Sequence, residues 1–295
     1  MKKHYALASV SILCWSTVAT VIKLLLGSLS SMEILCISVF FAGLFLLVVN
    51  LITGNVKKMK AYKLKDYITM VLIGIPGTFL YYIFYYTGTS MMLASQAFII
   101  NYLWPIMSVI FALIILKEKL TRLKAVAIII SFVGVIIVTG KDLLAFNSTT
   151  LLGAMFCVLG AMSYGLFSAL NQKFGYDKKI SMMIFYFTSF TLTLTVNLLS
   201  GGFSEITPIH IIGFAYNGIF TMALANTCWM IALEAHDTAK ISNLAYITPF
   251  LSLIWTAVFL KEEITLTSIL GLLVIVSGIL LQLFGKRLAN KKQGK

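Results

Sequence analysis

The sequence predicts an all-α integral membrane protein of ten transmembrane helices, arranged as two inverted five-helix repeats. Three observations predict it. The first is composition: of 295 residues, 60% are hydrophobic and only 11% charged, with a mean hydropathy of +0.97. Soluble domains carry roughly 25% charged residues, and ten acids with 23 bases cannot cover a soluble surface of this size. A chain in a bilayer needs charge only in its loops, so soluble enzymes are excluded. The second observation is a series of ten apolar stretches, each near the roughly 20 residues that cross a hydrocarbon core. The third is self-similarity of the chain at an offset of 144 residues.

The apolar stretches run over 5–26, 32–52, 67–87, 92–116, 122–140, 149–170, 181–199, 209–233, 240–260 and 266–285. The first follows Met1-Lys2-Lys3-His4 and imitates a signal peptide, but Tyr5 to Leu26 far exceeds the usual 7–15-residue apolar region of such a leader. It reads as the first membrane helix. The connections are short except 53–66, which carries Lys57, Lys58, Lys60, Lys63 and Lys65. No extramembrane domain is left to host separate chemistry, so function must sit between the helices.

The net charge of +13 would suggest nucleic acid in a soluble protein. Here the bases are loop residues. With the N-terminus in the cytoplasm, 20 of the 23 bases fall inside, and only Lys23, Lys141 and Lys261 fall outside. The inside set includes Lys117, Lys119, Arg122 and Lys124 in one turn, Lys173, Lys178 and Lys179 in another, and Lys240 in a third. The acids divide five and five, so the bases alone carry the asymmetry that the positive-inside rule requires. Both termini are expected in the cytoplasm, the chain in the plasma membrane, and the basic loops against anionic headgroups rather than nucleic acid.

Shifting the chain by 144 residues lays Tyr102-Leu-Trp-Pro105 on Tyr246-Ile-Thr-Pro249, Leu116-Lys117-Glu118 on Leu260-Lys261-Glu262, Thr121 on Thr265 and Gly134 on Gly278. Eight identities fall within 102–121. Matching of Ile and Leu comes easily in apolar helices, whereas a shared proline, a shared Leu-Lys-Glu exit and a later glycine do not. The repeats are placed at 5–140 and 149–285. Because each holds an odd number of helices, the second begins on the opposite side of the membrane from the first. Such inverted repeats recur in secondary transporters, where one half rocks against the other around a midplane site.

The titratable residues argue against catalysis. Cys14, Cys36, Cys157 and Cys228 all lie within spans and lack C-x-x-C spacing, as expected of packing residues. His4, His210 and His236 are scattered, so no metal is expected. Glu33, Asp66, Glu118, Asp142, Asp177, Glu205, Glu234, Asp237, Glu262 and Glu263 all fall at or beyond span ends. Without a buried carboxylate, proton exchange through an intramembrane acid loses its usual group. No nucleophile with a base, no H-E-x-x-H and no aspartate pair is present, so the chain reads as no enzyme, without a cofactor.

Aromatic and amide residues mark particular spans: Tyr81, Tyr82, Phe84, Tyr85 and Tyr86 in the third, Asn101, Tyr102 and Trp104 in the fourth, Asn226 and Trp229 in the eighth. A phenol at membrane depth needs a partner, and so many in one stretch point Tyr82 and Tyr85 toward a wet cavity, part of the cluster also fitting an interfacial belt. Asn101 lies mid-span, four residues before Pro105, which removes one intrahelical hydrogen bond and frees the Asn101 carbonyl. Pro249 repeats this outline beside Ala245 and Tyr246. Such broken polar centres hold solutes in transporters, although an asparagine bonded to a neighbouring helix gives the same pattern. Trp15, one turn from Ser11 and Ala19, must satisfy an indole N–H within the bilayer. Ala161, Gly165 and Ala169 in the sixth span, and Gly271, Gly278 and Gly285 in the tenth, mark faces for close helix packing.

The two repeats resemble the paired EamA domains of the drug/metabolite transporter superfamily over nearly the whole chain. Within it, Cys14-Trp15-Ser16-Thr17, Asn101-Tyr102-Leu103-Trp104-Pro105, and Tyr246 with Thr248-Pro249 are similar to the aromatic amino-acid exporter branch. Where that branch tends to carry tryptophan in the sixth helix, this chain has Tyr164, a departure that trims the aromatic wall. The resemblance implies a ten-helix carrier exporting aromatic or other neutral amino acids by alternating access. Its candidate substrate-binding residues are Trp15, Tyr82, Tyr85, Asn101, Tyr102, Trp104, Tyr164, Asn226, Trp229 and Tyr246. In this scheme the aromatic residues stack on the substrate, and Asn101 and Asn226 bond its amino and carboxylate ends. Two other readings stand beside it: a carrier of organic cations held in an aromatic cage, and a membrane scaffold that moves no solute. The partners expected are a small-molecule substrate and the bilayer, with a homodimer compatible with the sequence.

Overall fold

The computed structural model describes residues 2–145, 147–233, 241 and 244–293, of which 2, 141–143 and 282–293 are described by their backbone alone. Glu234, His236, Asp237 and Lys240, expected at an inner turn, lie outside the described residues, as does Lys295. Among the described residues the fold is all-α, with ten apolar helices. Eight are long and apolar enough to cross a membrane: α1 (Lys3–Leu25), α2 (Ser31–Ile52), α3 (Leu64–Met91), α4 (Ala94–Ile115), α5 (Arg122–Gly140), α6 (Ser148–Phe174), α7 (Lys178–Leu199) and α8 (Pro208–Ala232). Two are shorter, α9 (Ala245–Leu260) and α10 (Leu266–Leu281).

Local chemistry sets the helix starts. Ser30 caps α2 with its side chain accepting from Glu33 N at 3.2 Å, and the Glu33 carboxylate accepts from Ser30 N at 2.8 Å. Asn147 opens α6 by accepting from Thr150 N, and Gly175 ends it at φ 62. Asp177 caps α7 through Lys179 N at 3.1 Å and Ile180 N at 3.3 Å, and pairs with Lys58 of the 53–66 connection at 2.9 Å. Partial burial pushes the Asp177 carboxyl up, but the Lys58 ammonium and these two N–H groups outweigh it and hold it below the usual carboxylate range.

Several helices depart from the uninterrupted spans read from the sequence. α1 breaks at Thr17, between Lys2–Ser16 and Val18–Leu25. α4 breaks between Asn101 and Trp104, just before Pro105. α9 begins with a turn of 3₁₀ helix at Ala245–Ile247 before Pro249. α3 and α8 each contain a π-helical stretch, at Ile75–Leu80 and Tyr216–Leu224. At the offset of 144 the first stretch falls within the second, so both repeats wind the same segment wide.

The inverted relation is visible where α5 packs along α10. A Cβ on Gly134 would lie 2.9 Å from the Gly271 carbonyl oxygen, and one on Gly278 would lie 2.8 Å from that of Ala127. These two contacts exchange under the 144-residue offset. Ser131 Oγ reaches the carbonyl of Ile275, its own repeat equivalent, at 3.4 Å, so the pseudo-two-fold axis passes between them. The small face of α6 packs likewise: Ala161 and Ala169 are buried, and a Cβ on Gly165 would lie 2.5 Å from the Met107 backbone. Gly285 falls where only the backbone is described.

The first helix of each repeat follows a different register. Ser11 Oγ of α1 donates to the Ala225 carbonyl of α8 at 2.8 Å, while a Cβ on Gly160 of α6 would lie 3.2 Å from the equivalent carbonyl oxygen of Tyr81 in α3. The two helices end at Leu25 and Phe174. Both correspondences give an offset of 149 between α1 and α6.

Candidate functional site

The helix breaks and π stretches surround one cavity of about 440 Å³ at the centre of the bundle. All ten residues singled out above line it: Trp15, Tyr82, Tyr85, Asn101, Tyr102, Trp104, Tyr164, Asn226, Trp229 and Tyr246. The cavity also reaches Asn171, Lys178 and Leu233, at the ends of α6 and α8 and the start of α7. This end carries the basic connections that hold Lys58, Lys173, Lys178 and Lys179.

Edge-to-face aromatic pairs build the walls. Trp15 and Trp229 meet at 5.3 Å with 61° between planes, and Trp104 and Tyr164 at 5.1 Å with 71°. Tyr81 stands 4.9 Å from Tyr164 and 4.7 Å from Tyr82. Under the two offsets the lining falls into equivalent pairs: Trp15 with Tyr164, Tyr82 with Asn226, Tyr85 with Trp229, Tyr102 with Tyr246, Asn101 with Ala245 and Trp104 with Thr248. The cavity therefore sits on the pseudo-two-fold axis, with walls whose chemistry has diverged between the halves.

Asn101 is divided between two tasks. Its Nδ2 donates to Tyr81 Oη at 3.0 Å, so part of its carboxamide is engaged with α3. Its Oδ1 is buried without a hydrogen-bond partner among the described residues, 3.6 Å from where a Cβ on Gly160 would sit. The buried Tyr85 hydroxyl likewise has no such partner among them. The Ala245 carbonyl, to which Pro249 cannot donate, accepts from Thr248 N–H in the 3₁₀ turn and from the Tyr102 hydroxyl at 2.5 Å. The two proline breaks are thus joined across the repeats by a residue of the Asn-Tyr-Leu-Trp-Pro string.

Asn226 Nδ2 donates to the Met222 carbonyl and to Tyr186 Oη, while its Oδ1 takes part in no hydrogen bond among the described residues. Tyr186 in turn donates to the Met222 carbonyl at 3.2 Å. Sequence reasoning did not select Tyr186, which stands in α7 without a neighbouring motif, nor Thr78, Tyr81, Met182 or Asn171. The signal for Tyr81 was present in the third-span cluster, where helical spacing alone could not tell which phenol turns inward.

No acid lines the cavity among the described residues, and Lys178 at its mouth is the one charged side chain there. Glu33 gives its carboxylate to Ser30 N and Ser204 N, and Asp66 gives its own to Lys63 N and the Tyr176 hydroxyl. Cys36, Cys157 and Cys228 are buried and Cys14 is half-buried, all as free thiols. Chemically the arrangement can stack, desolvate and hydrogen-bond a small molecule.

The pattern of the EamA-like transporter family matches residues 2–140 and, a second time, 151–284. The chain belongs to that family. It is a multi-pass membrane transporter of the drug/metabolite transporter superfamily and not an enzyme. An uncharacterized transporter of Clostridium kluyveri is 25% identical over 98% of this chain and 96% of its own length. Another from Archaeoglobus fulgidus is 26% identical over 95% of this chain and 98% of its own. The aromatic amino acid exporter YddG of Escherichia coli is 24% identical over 64% of this chain and 66% of its own. A solved crystal structure matches the fold with a TM-score of 0.70 at 19% identity, covering 98% of this chain and 99% of the other.

Proposed function

We propose that this transporter moves aromatic or other neutral amino acids out of the cell by alternating access. The observation that carries the reading is the central cavity of about 440 Å³, walled by tryptophan and tyrosine and free of acid among the described residues. Its volume lies in the range of pockets for small organic ligands. An aromatic side chain would stack between Trp15 and Trp229 on one side and Trp104 and Tyr164 on the other. The Oδ1 atom of Asn226 is free to accept from the substrate's ammonium. Lys178 at the mouth favours a carboxylate and repels a cation, which supports the zwitterion over organic cations in an aromatic cage. The named activity of YddG agrees with this reading. The resemblance alone supports export, and the placing of the bases supports both termini in the cytoplasm.

Counterflow in proteoliposomes, run with labelled aromatic, aliphatic and charged amino acids and with quaternary amines as competitors, tests it. Counterflow of tryptophan or phenylalanine, blocked by other neutral amino acids and not by quaternary amines, is the expected result. Block by quaternary amines alone would replace the amino acid with a cation, and absence of counterflow for every solute would leave the scaffold reading.

A further inference from the structure

The cavity reaches one end of the bundle and not the other, and the repeats show what closes the second end. At the open end it runs past Asn171 of α6 and Leu233 at the end of α8. Their repeat equivalents at the opposite end are Ile22 of α1 and Thr89 of α3. There Ile22 is buried, and Lys23 Nζ donates to the carbonyls of Thr89 at 2.8 Å and Met92 at 2.7 Å. Leu25, the last residue of α1, is 5% exposed, whereas its equivalent Phe174, the last of α6, is 44% exposed. Among the described residues, the end of α1 is thus covered and tied on one side of the membrane, while the end of α6 stands exposed on the other.

We propose that Lys23 is the latch of the outer gate: it ties the outer end of α1 to the α3–α4 turn and holds the carrier open to the cytoplasm. The last carbonyls of a helix have no intrahelical donors, and a cation placed on them gains from both hydrogen bonding and the helix dipole. The turn is also held from the other repeat. Glu262 accepts from Ala94 N at 2.7 Å and Ser95 N at 3.0 Å at the start of α4. A cation on the end of α3 and an anion on the start of α4 thus fix one turn from two sides. At the open end the position equivalent to Lys23 is Gln172, which is exposed. Gln172 supplies an amide in place of an ammonium and makes the weaker inner latch, so the unloaded carrier rests with the inner mouth open. The latch rests on alternating access but on no particular substrate.

Val18 lines the cavity five residues before Lys23, so a cysteine there reports which mouth admits a reagent. The measurement is the rate at which Val18→Cys is modified by an impermeant thiol reagent, from outside in intact cells and from inside in inverted vesicles. The background of the chain without Val18→Cys is subtracted. With Lys23 in place, outside labelling is slow and inside labelling fast. Lys23→Met removes two charge-assisted bonds and is expected to raise the outside-to-inside ratio at least about tenfold, while Lys23→Arg keeps it low. Gln172→Lys strengthens the inner latch and is expected to raise the same ratio with Lys23 intact. Unchanged ratios in Lys23→Met and Gln172→Lys overturn the proposal. Should Lys23→Met label from both sides at the rate of urea-treated protein, the exposed Gln172→Lys decides alone, a raised ratio supporting the latch and an unchanged one refuting it. No substrate is needed, so failure of the amino-acid reading leaves this result standing, and amino-acid counterflow with unmoved labelling removes the latch alone.

Discussion

Asn101 ties one polar atom into the packing and leaves the other over. Its amide donates to Tyr81 Oη while its buried Oδ1 has no hydrogen-bond partner among the described residues. Asn101→Ala strands the Tyr81 hydroxyl in a buried place, a cost of ~1–3 kcal/mol, whereas removing both polar partners is nearly neutral. Thermal melts of purified protein should therefore show Asn101→Ala destabilised and Asn101→Ala with Tyr81→Phe largely recovered; an unrecovered double variant would mean that the bond contributes nothing. Trp104→Ala opens the wall at Tyr164 without stranding a polar group. It should weaken the substrate about tenfold, as a raised apparent KM in counterflow, with normal abundance in the membrane. At this scale the sequence was informative wherever polarity stood deep in a span. Tyr186 escaped because a lone tyrosine in an apolar helix has no pattern that says which way it points.

At the scale of the helix, the seam between α5 and α10 depends on absent side chains. Gly134→Val or Gly271→Val forces the two backbones apart and should cost ~1–3 kcal/mol, seen as a lowered melting temperature. Gly140→Ala meets nothing within 4 Å and should melt like the parent. The start of α7 adds a pH-dependent contribution. The Asp177 carboxyl is held below its unfolded value of about 3.9, so its stabilisation is present above that pH and lost as pH falls through the folded value. Asp177→Asn keeps a competent cap but removes the charge, so parent and variant should differ in melting temperature at pH 7 and converge below about pH 4; a gap persisting in acid would assign the effect to the cap alone. The ten helices were legible because hydropathy tracks the bilayer. Their interior breaks were only partly so: Pro105 and Pro249 announce theirs and Pro76 sits within the α3 π stretch, but nothing in Thr17 or in Tyr216–Leu224 marks a departure from α-helical winding.

Across the whole molecule, the absence of acid from the cavity walls among the described residues predicts transport without proton exchange. Glu33 and Asp66, the span-end acids nearest that role, spend their carboxylates on backbone N–H groups and, for Asp66, the Tyr176 hydroxyl. Counterflow should proceed without a pH difference or membrane potential, and an imposed proton gradient should leave steady-state accumulation nearly unchanged. Uphill accumulation abolished by Glu33→Gln or Asp66→Asn would identify a proton carrier instead. The repeat was readable at a single offset only for its later helices. Between α1 and α6 the offset is 149 rather than 144, so comparison at fixed spacing sets Trp15 against Leu159 and hides its pairing with Tyr164.

That pairing bears on how a passenger travels. Trp15 answers Tyr164, Tyr82 answers Asn226, and Trp104 answers Thr248, so half a turn about the axis does not superimpose the two walls. A solute seated against such walls should have one preferred heading and keep it as the carrier turns over. It must enter nose first through one door and leave tail last through the other, so each door meets a different end of the molecule. A blocker made by lengthening one end of the solute should therefore jam the carrier from one face of the membrane only, and lengthening the other end should reverse the face.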